Sequence, residues 1–291
     1  MLHGSYVALV TPFKNKEIDY TALEKLIAFH IENGTHGILL LGTTAETAAL
    51  ASDEKDALLR FCIAKIDKRV PVMIGTGTNN LSQTLVQTKK AKALEADFAL
   101  VITPYYIKPT QNGMYEYFAA IAKAVDIPIV IYNVPGRTGV NIAAPTVVKL
   151  AREFSNIVGV KEASGNLVQV TEIIRDAPEG FVVMSGEDAL NMPIMAIGGK
   201  GTISVTANVV PNLMSELIST CLKGDYTLAA KQHQNLLKMN NFMFIETNPI
   251  PAKEALAMMG MIELDFRLPM CPLLESNREA LRKVLAEYNL I

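Results

Sequence analysis

Along the first 224 residues, short runs of Val, Ile and Leu alternate with stretches whose apolar residues recur every three or four positions. The runs at Val7–Phe13, Gly37–Thr44, Val70–Thr76, Phe98–Tyr106, Ile127–Val134, Ile157–Glu162, Phe181–Gly186 and Gly201–Thr206 predict eight strands. Their nearly continuous apolar character is that of parallel strands covered on both faces. The stretches between them predict helices over Tyr20–Asn33, Asp53–Asp67, Leu81–Ala96, Gly113–Val125, Ala144–Phe154, Leu167–Asp176, Ala189–Ile197 and Asn212–Leu222. In the first of these, Leu23, Leu26, Ile27 and His30 share a face, Asp19 is placed as the cap and Gly34 as the stop, and Ser52 is placed as the cap of the second. Eight such pairs predict a (β/α)8 TIM barrel over residues 1–224. A doubly wound open sheet is the alternative, but no GxGxxG follows the first strand. Beyond Gly224 the strand pattern does not return. Tyr226–Asn240, Pro249–Met259 and Asn277–Glu287 predict helices, so residues 225–291 read as a C-terminal helical domain.

Composition narrows the classes of function. Of 291 residues, 50% are hydrophobic and 19% charged, enough to bury a large core. The net charge is −2 with no basic stripe, which argues against a nucleic-acid partner. The opening stretch Met1-Leu2-His3-Gly4-Ser5 lacks the basic and apolar regions of a signal peptide, and the apolar runs are too interrupted to span a membrane. Cys62, Cys221 and Cys271 are widely spaced and read as reduced core thiols, so a cytoplasmic protein is expected. The segment Gly198-Gly199-Lys200-Gly201-Thr202 tempts as a phosphate loop but lacks the upstream glycine spacing and reads as a tight turn.

In a barrel of this kind, chemistry sits where strands end and the following loops begin. Those ends read LGTTAET, GTGTNN, TPYY, YNVPGRTG, GVKEASGN, SGED and SVTAN. They carry Thr, Tyr, Asn, one Arg and one Lys. The histidines, His3, His30, His36 and His233, all lie elsewhere, and carboxylates are few (Glu46, Glu162, Glu187, Asp188), so no metal site is expected. A lysine at the end of an apolar strand loses solvation in its charged form, its pKa falls, and it becomes a nucleophile toward a carbonyl carbon. The resulting Schiff base would stabilise a neighbouring carbanion, hydroxyls of Tyr and Thr could move protons, and the planar fork of Arg suits a carboxylate. Amides of Thr43 and Thr44 could hold a second carboxylate. That set fits a 2-oxo acid. Taken singly, each residue has a plainer reading: Lys161 as a solvated or paired charge, Tyr132 as a packed aromatic, Thr43 and Thr44 as turn residues, Arg137 as a loop charge.

Together, GTTAET, VITPYY, YNVPGRTG, GVKEASGN and GTISVTANV, placed at the right strand ends between GSYVALVTPF and RLPMCPL, resemble the dihydrodipicolinate synthase/N-acetylneuraminate lyase family of Schiff-base aldolases. The resemblance implies that Lys161 forms a Schiff base with pyruvate, that Tyr132 relays protons beside it, and that Thr44 links Tyr132 to a Tyr106 supplied across a dimer interface. It further implies that Thr43 and Thr44 hold the pyruvate carboxylate, that Gly186 and Ile203 line the substrate site, and that Arg137 binds the carboxylate of L-aspartate 4-semialdehyde on the diaminopimelate route to lysine. The implied assembly is a homotetramer, a dimer of dimers, with no metal or dissociable cofactor.

Two departures from the family pattern bear on these expectations. The family loop reads GTTGE where this chain has Ala45; if that position needs a positive φ, alanine costs about 1 kcal/mol. Lysine-inhibited members bind lysine at the dimer cleft, and the corresponding positions here are Thr47, Ser52, Lys55, Asn79, Gln83 and Tyr105. The loss of an acid and the gain of Lys55 predict weak or absent lysine inhibition. The alternatives to a synthase are a pyruvate-dependent lyase of a sugar acid such as N-acetylneuraminate or keto-deoxygluconate, which generally lacks the Arg137 counterpart, and a barrel that has lost catalysis. The latter would have been free to lose Lys161, Tyr132 or Thr44.

Overall fold

A computed structural model describes residues 2–291; Met1, the first residue of the stretch weighed as a signal peptide, lies outside the described residues. Eight parallel strands close into a barrel: Gly4–Ala8, Gly37–Leu40, Val72–Gly75, Phe98–Ile102, Ile129–Asn133, Ile157–Glu162, Val182–Ser185 and Gly201–Ser204. Each pairs with its neighbour in the chain, and the first also pairs with the last, through Gly4 opposite Gly201 and Tyr6 opposite Ile203. The barrel read from the sequence is therefore the fold.

The first strand lies earlier than the sequence pattern suggests. It ends at Ala8, and the apolar run beyond it leaves the barrel at Pro12. Phe13–Lys14 then pairs antiparallel with Glu17–Ile18 across Asn15 and Lys16, both at positive φ, the geometry of a tight hairpin turn. Periodicity alone does not separate a strand from the hairpin arm that follows it.

Helices fill the crossovers. Tyr20–Glu32 starts at Asp19, whose side chain accepts from the Ala22 N–H at 2.9 Å, and stops before Gly34 at φ +77°. Ser52 is not the cap expected for the second helix. It is the first helical residue, and the Glu54 carboxylate accepts from the Ala51 N–H at 2.8 Å. Gly198, at φ +114°, makes the turn before the last strand, as read from the sequence.

Past Gly224, helices Tyr226–Phe242, Ile250–Met258 and Glu275–Glu287 follow, and they pack onto one another and onto the last two barrel helices. Their apolar residues, such as Leu236, Leu256 and Val284, belong to the same core layer as the outer faces of the strands. A second layer fills the barrel interior with Tyr6, Leu39, Met73, Val130, Met184 and Ile203. Cys62 and Cys221 are buried in helices, but Cys271 is exposed; it lies in an extended loop with no helical face to bury it. Among the described residues no helix is long and apolar enough to cross a membrane.

The fifth and sixth strands carry one irregularity. Ile129 stands opposite Ile157, but Val130 stands opposite Gly159, so Val158 has no counterpart. Above that point the register is regular and sets Tyr132 beside Lys161 and Asn133 beside Glu162.

Candidate active site

Side chains alternate across a strand, so consecutive residues of the Lys161 strand go to opposite faces. Tyr132 lies in the barrel interior, and the Lys161 nitrogen stands over its ring, 4.4 Å from the centroid. Asn133 and Glu162 point the other way, into the layer between strand and helix. There the buried Glu162 carboxylate accepts from the Asn133 side-chain amide at 3.1 Å, the Gln169 amide at 3.0 Å and the Ser164 N–H at 2.8 Å. Asn141 in turn bonds both Asn133 and Gln169, which ties the loop after the fifth strand to the sixth. The KE pair of the motif thus serves two separate environments.

Lys161 is 5% exposed and forms no ion pair among the described residues. Burial lowers its pKa to about 8; the Asp188 and Glu187 carboxylates push it back up, and Arg137 pulls it down. Burial pushes the Tyr132 phenol up to about 12, against a smaller downward pull from Arg137 and the Thr43 hydroxyl. At neutral pH the site therefore holds a protonated phenol next to an amine of which about a tenth is neutral.

Both groups line a cavity of about 800 Å³ at the carboxyl ends of the strands. Thr43, Thr44, Arg137 and Gly186 line it too. Thr43 and Thr44 open a short 3-10 turn, Thr43–Ala45, in which the Ala45 and Glu46 N–H groups bond back to Gly42 and Thr43. The first two N–H groups of such a turn have no partner within it and remain available to an anion. The Thr44 hydroxyl accepts from the Asn248 side chain at 3.0 Å, and the Arg137 guanidinium donates to the Asn248 carbonyl at 3.4 Å. Asn248, which the sequence reading did not single out, so joins the Thr44 turn and the Arg137 loop from the C-terminal side. Gly186 has a steric reason to be glycine: a Cβ there would meet the Ala163 Cβ at 2.8 Å and the Lys161 Cγ and Cε at 3.0 Å.

Other expected residues fall elsewhere. Ile203 is buried in the barrel interior and does not line the cavity. Tyr106 is 86% exposed, at φ +72°, and also lies outside this chain's cavity, whereas its neighbour Tyr105 lines it. Of the residues expected at the lysine site, Ser52, Lys55 and Gln83 line a second cavity of about 460 Å³. Lys55, its pKa lowered by burial, borders both cavities; Thr47 and Tyr105 border only the first, and Asn79 neither.

The strain considered for Ala45 does not arise. Ala45 is not among the residues at positive φ; the left-handed positions of this loop are Leu41, at φ 53°, and Glu46, at φ 52°. Glu46 has a partner that no neighbouring residue in the chain suggests. Lys253, fully buried, donates to its carboxylate at 2.5 Å and lies over the rings of Phe13 and Phe266, 4.3 and 4.8 Å from their centroids. Arg267 stacks 4.6 Å from the Phe13 ring and pairs with Glu54. The only sequence signal was a lysine amid the apolar residues of NPIPAKEAL.

Comparison with known proteins shows the family to which the chain belongs. The sequence model of the Dihydrodipicolinate synthetase family matches residues 1–288. The 4-hydroxy-tetrahydrodipicolinate synthase of Hydrogenobaculum sp. is 49% identical over 291 residues, all of both chains. The crystal structure of dihydrodipicolinate synthase from Aquifex aeolicus superposes with a TM-score of 0.98 at 47% identity, covering 99% of each chain. That of the lysine-bound enzyme from Cyanidioschyzon merolae gives 0.96 at 37% identity, again over 99% of each chain.

Proposed function

Because the chain belongs to the dihydrodipicolinate synthetase family, we propose that it acts as a 4-hydroxy-tetrahydrodipicolinate synthase, joining pyruvate to L-aspartate 4-semialdehyde. The observation that carries this reading is the buried amine of Lys161, without an ion-pair partner, in a cavity that also presents Arg137. The neutral amine attacks the ketone carbon of pyruvate, water leaves, and an imine forms. Loss of a C3 proton gives the enamine, with Tyr132, a protonated phenol, passing protons between solvent and the reacting atoms. The Thr43 and Thr44 N–H groups hold the pyruvate carboxylate. The enamine carbon then attacks the aldehyde, whose own carboxylate lies on Arg137. The amine of the adduct finally closes the ring and displaces Lys161. The imine is itself the electron sink, so this route needs no metal or dissociable cofactor.

Tyr106, exposed and outside this chain's cavity, fits a residue that reaches the site of a second copy, which supports a dimer within a homotetramer as the working form. Three unpaired thiols suit the reducing cytoplasm. Lys55 bordering the second cavity supports weak or absent inhibition by lysine, and inhibition at sub-millimolar lysine would overturn that reading. The main test is borohydride reduction with pyruvate, expected to add mass at Lys161, joined to turnover assays with aspartate semialdehyde, N-acetylneuraminate and keto-deoxygluconate. Turnover of a sugar acid in preference to the semialdehyde, or full activity of Arg137→Ala, would contradict the assignment.

A further inference from the structure

The cavity holds two carboxylates, Glu46 and Glu187. Glu46 is consumed by Lys253. Asp188, next in the chain, is buried and accepts from the N–H groups of Val205 at 2.9 Å and Thr206 at 2.8 Å. Glu187 is not held in this way: among the described residues its carboxylate forms no ion pair and no hydrogen bond of normal geometry, and the nearby Ala189 N–H only favours its charged form. It is half-buried, and its backbone is fixed at the end of the seventh strand, where its carbonyl accepts from the Ser185 hydroxyl at 2.9 Å. It directly follows Gly186, whose Cα lies against the Lys161 side chain.

This position is unhelpful to the first half of the reaction. A carboxylate near Lys161 favours the ammonium, so Glu187 works against the attack on pyruvate. Nor does pyruvate offer it anything, since that substrate is an anion. The second substrate does. Aspartate semialdehyde carries an ammonium on the carbon next to the carboxylate that Arg137 takes, and the cavity has one free carboxylate with which to meet it.

We propose that Glu187 binds the ammonium of the second substrate and takes its first proton. This rests on the synthase reading given above. The proton moves from the substrate nitrogen to the Glu187 carboxylate, and the freed lone pair forms the new carbon–nitrogen bond at the Lys161 iminium carbon. The iminium π pair returns to the Lys161 nitrogen. The two remaining protons of the substrate nitrogen pass to Lys161 as its bond to carbon breaks, which leaves a neutral ring imine, a Lys161 ammonium and a protonated Glu187.

The test compares the wild-type protein with Glu187→Gln and Glu187→Asp, using aspartate semialdehyde as substrate and succinate semialdehyde as its amine-free competitor. In Glu187→Gln the KM for aspartate semialdehyde should rise about tenfold or more, the loss of one charge-assisted contact, and kcat should fall as well. The Ki of succinate semialdehyde should stay at its wild-type value, and the borohydride-trapped pyruvate adduct should form at least as readily as in the wild type, since Glu187 does not assist the attack on pyruvate. Glu187→Asp should recover part of the loss. Equal weakening of both aldehydes, or no change in either, overturns the proposal. Absence of the pyruvate adduct or of turnover in the wild-type protein would instead overturn the synthase reading, so the two failures are distinguishable.

Discussion

Two lysines are buried beside aromatic rings in this molecule, and they have opposite company. Lys253 has Glu46 at 2.5 Å and is fully buried; Lys161 is 5% exposed and has no carboxylate in ion-pair contact. Burial lowers the pKa of both, but for Lys253 the adjoining carboxylate opposes the shift directly. Burial, then, does not make a reactive lysine. Burial without a counter-ion does, and the carboxylate nearest in sequence, Glu162, is kept out of the way on the far face of the strand by its own set of amide donors.

The largest effect expected from this contrast is Lys161→Met. It should abolish the pyruvate adduct seen by mass spectrometry, while leaving thermal stability unchanged or raised, because an unpaired buried amine is replaced by an apolar chain of similar shape. A large fall in Tm would mean that Lys161 also serves the fold. Lys253→Met should show the reverse. It strands Glu46 in the core, and a loss of about 3–5 kcal/mol is expected in denaturant titration, recovered in part by adding Glu46→Leu.

Gly186→Ala probes the unpaired lysine through its stem. The new Cβ, 3.0 Å from the Lys161 Cγ and Cε, should displace the amine and lower kcat/KM for pyruvate by about 100-fold, with the protein still folded. The pH profile is gentler. The neutral amine is the nucleophile and Lys161 titrates at about 8, so kcat/KM for pyruvate should climb roughly tenfold per pH unit below that and level off above it. A climb continuing toward the ordinary lysine value of 10.5 would show that the amine is not desolvated. The smallest change is Ala45→Gly, beside the paired glutamate. Since Ala45 has no positive φ to relieve, glycine should destabilise by about 1 kcal/mol or less through added freedom in the unfolded chain.

How much of this the sequence discloses depends on how far apart the interacting residues are. The strand Ile157–Glu162 and the helix Leu167–Asp176 match the sequence reading at both ends, because an unbroken apolar run and a capping Asn166 are local signals. The first strand is misplaced because the apolar run continues into a hairpin arm with no change of composition. Lys161, Tyr132 and Arg137 could be picked out because each closes a strand or opens the loop after it. The Glu46–Lys253 pair could not, since its members are 207 residues apart and nothing in GTTAET or NPIPAKEAL points from one to the other. Asn248, whose contact with Thr44 spans 204 residues, escapes for the same reason. Positive φ at Glu46 and not at Ala45 is likewise not marked by any residue of the loop itself.

The unmatched Val158 at the base of the sixth strand gives that strand something like a reading frame. A residue's face is decided by counting from that point in twos, so adding or removing one residue there would send the ammonium of Lys161 into the amide cradle and the carboxylate of Glu162 into the mouth of the barrel. Substitutions in the strand change one side chain at a time, but a change of length would exchange the two charges at once. The segment from Val158 to Glu162 is thus fixed in count, while insertions are left to the loops beyond it.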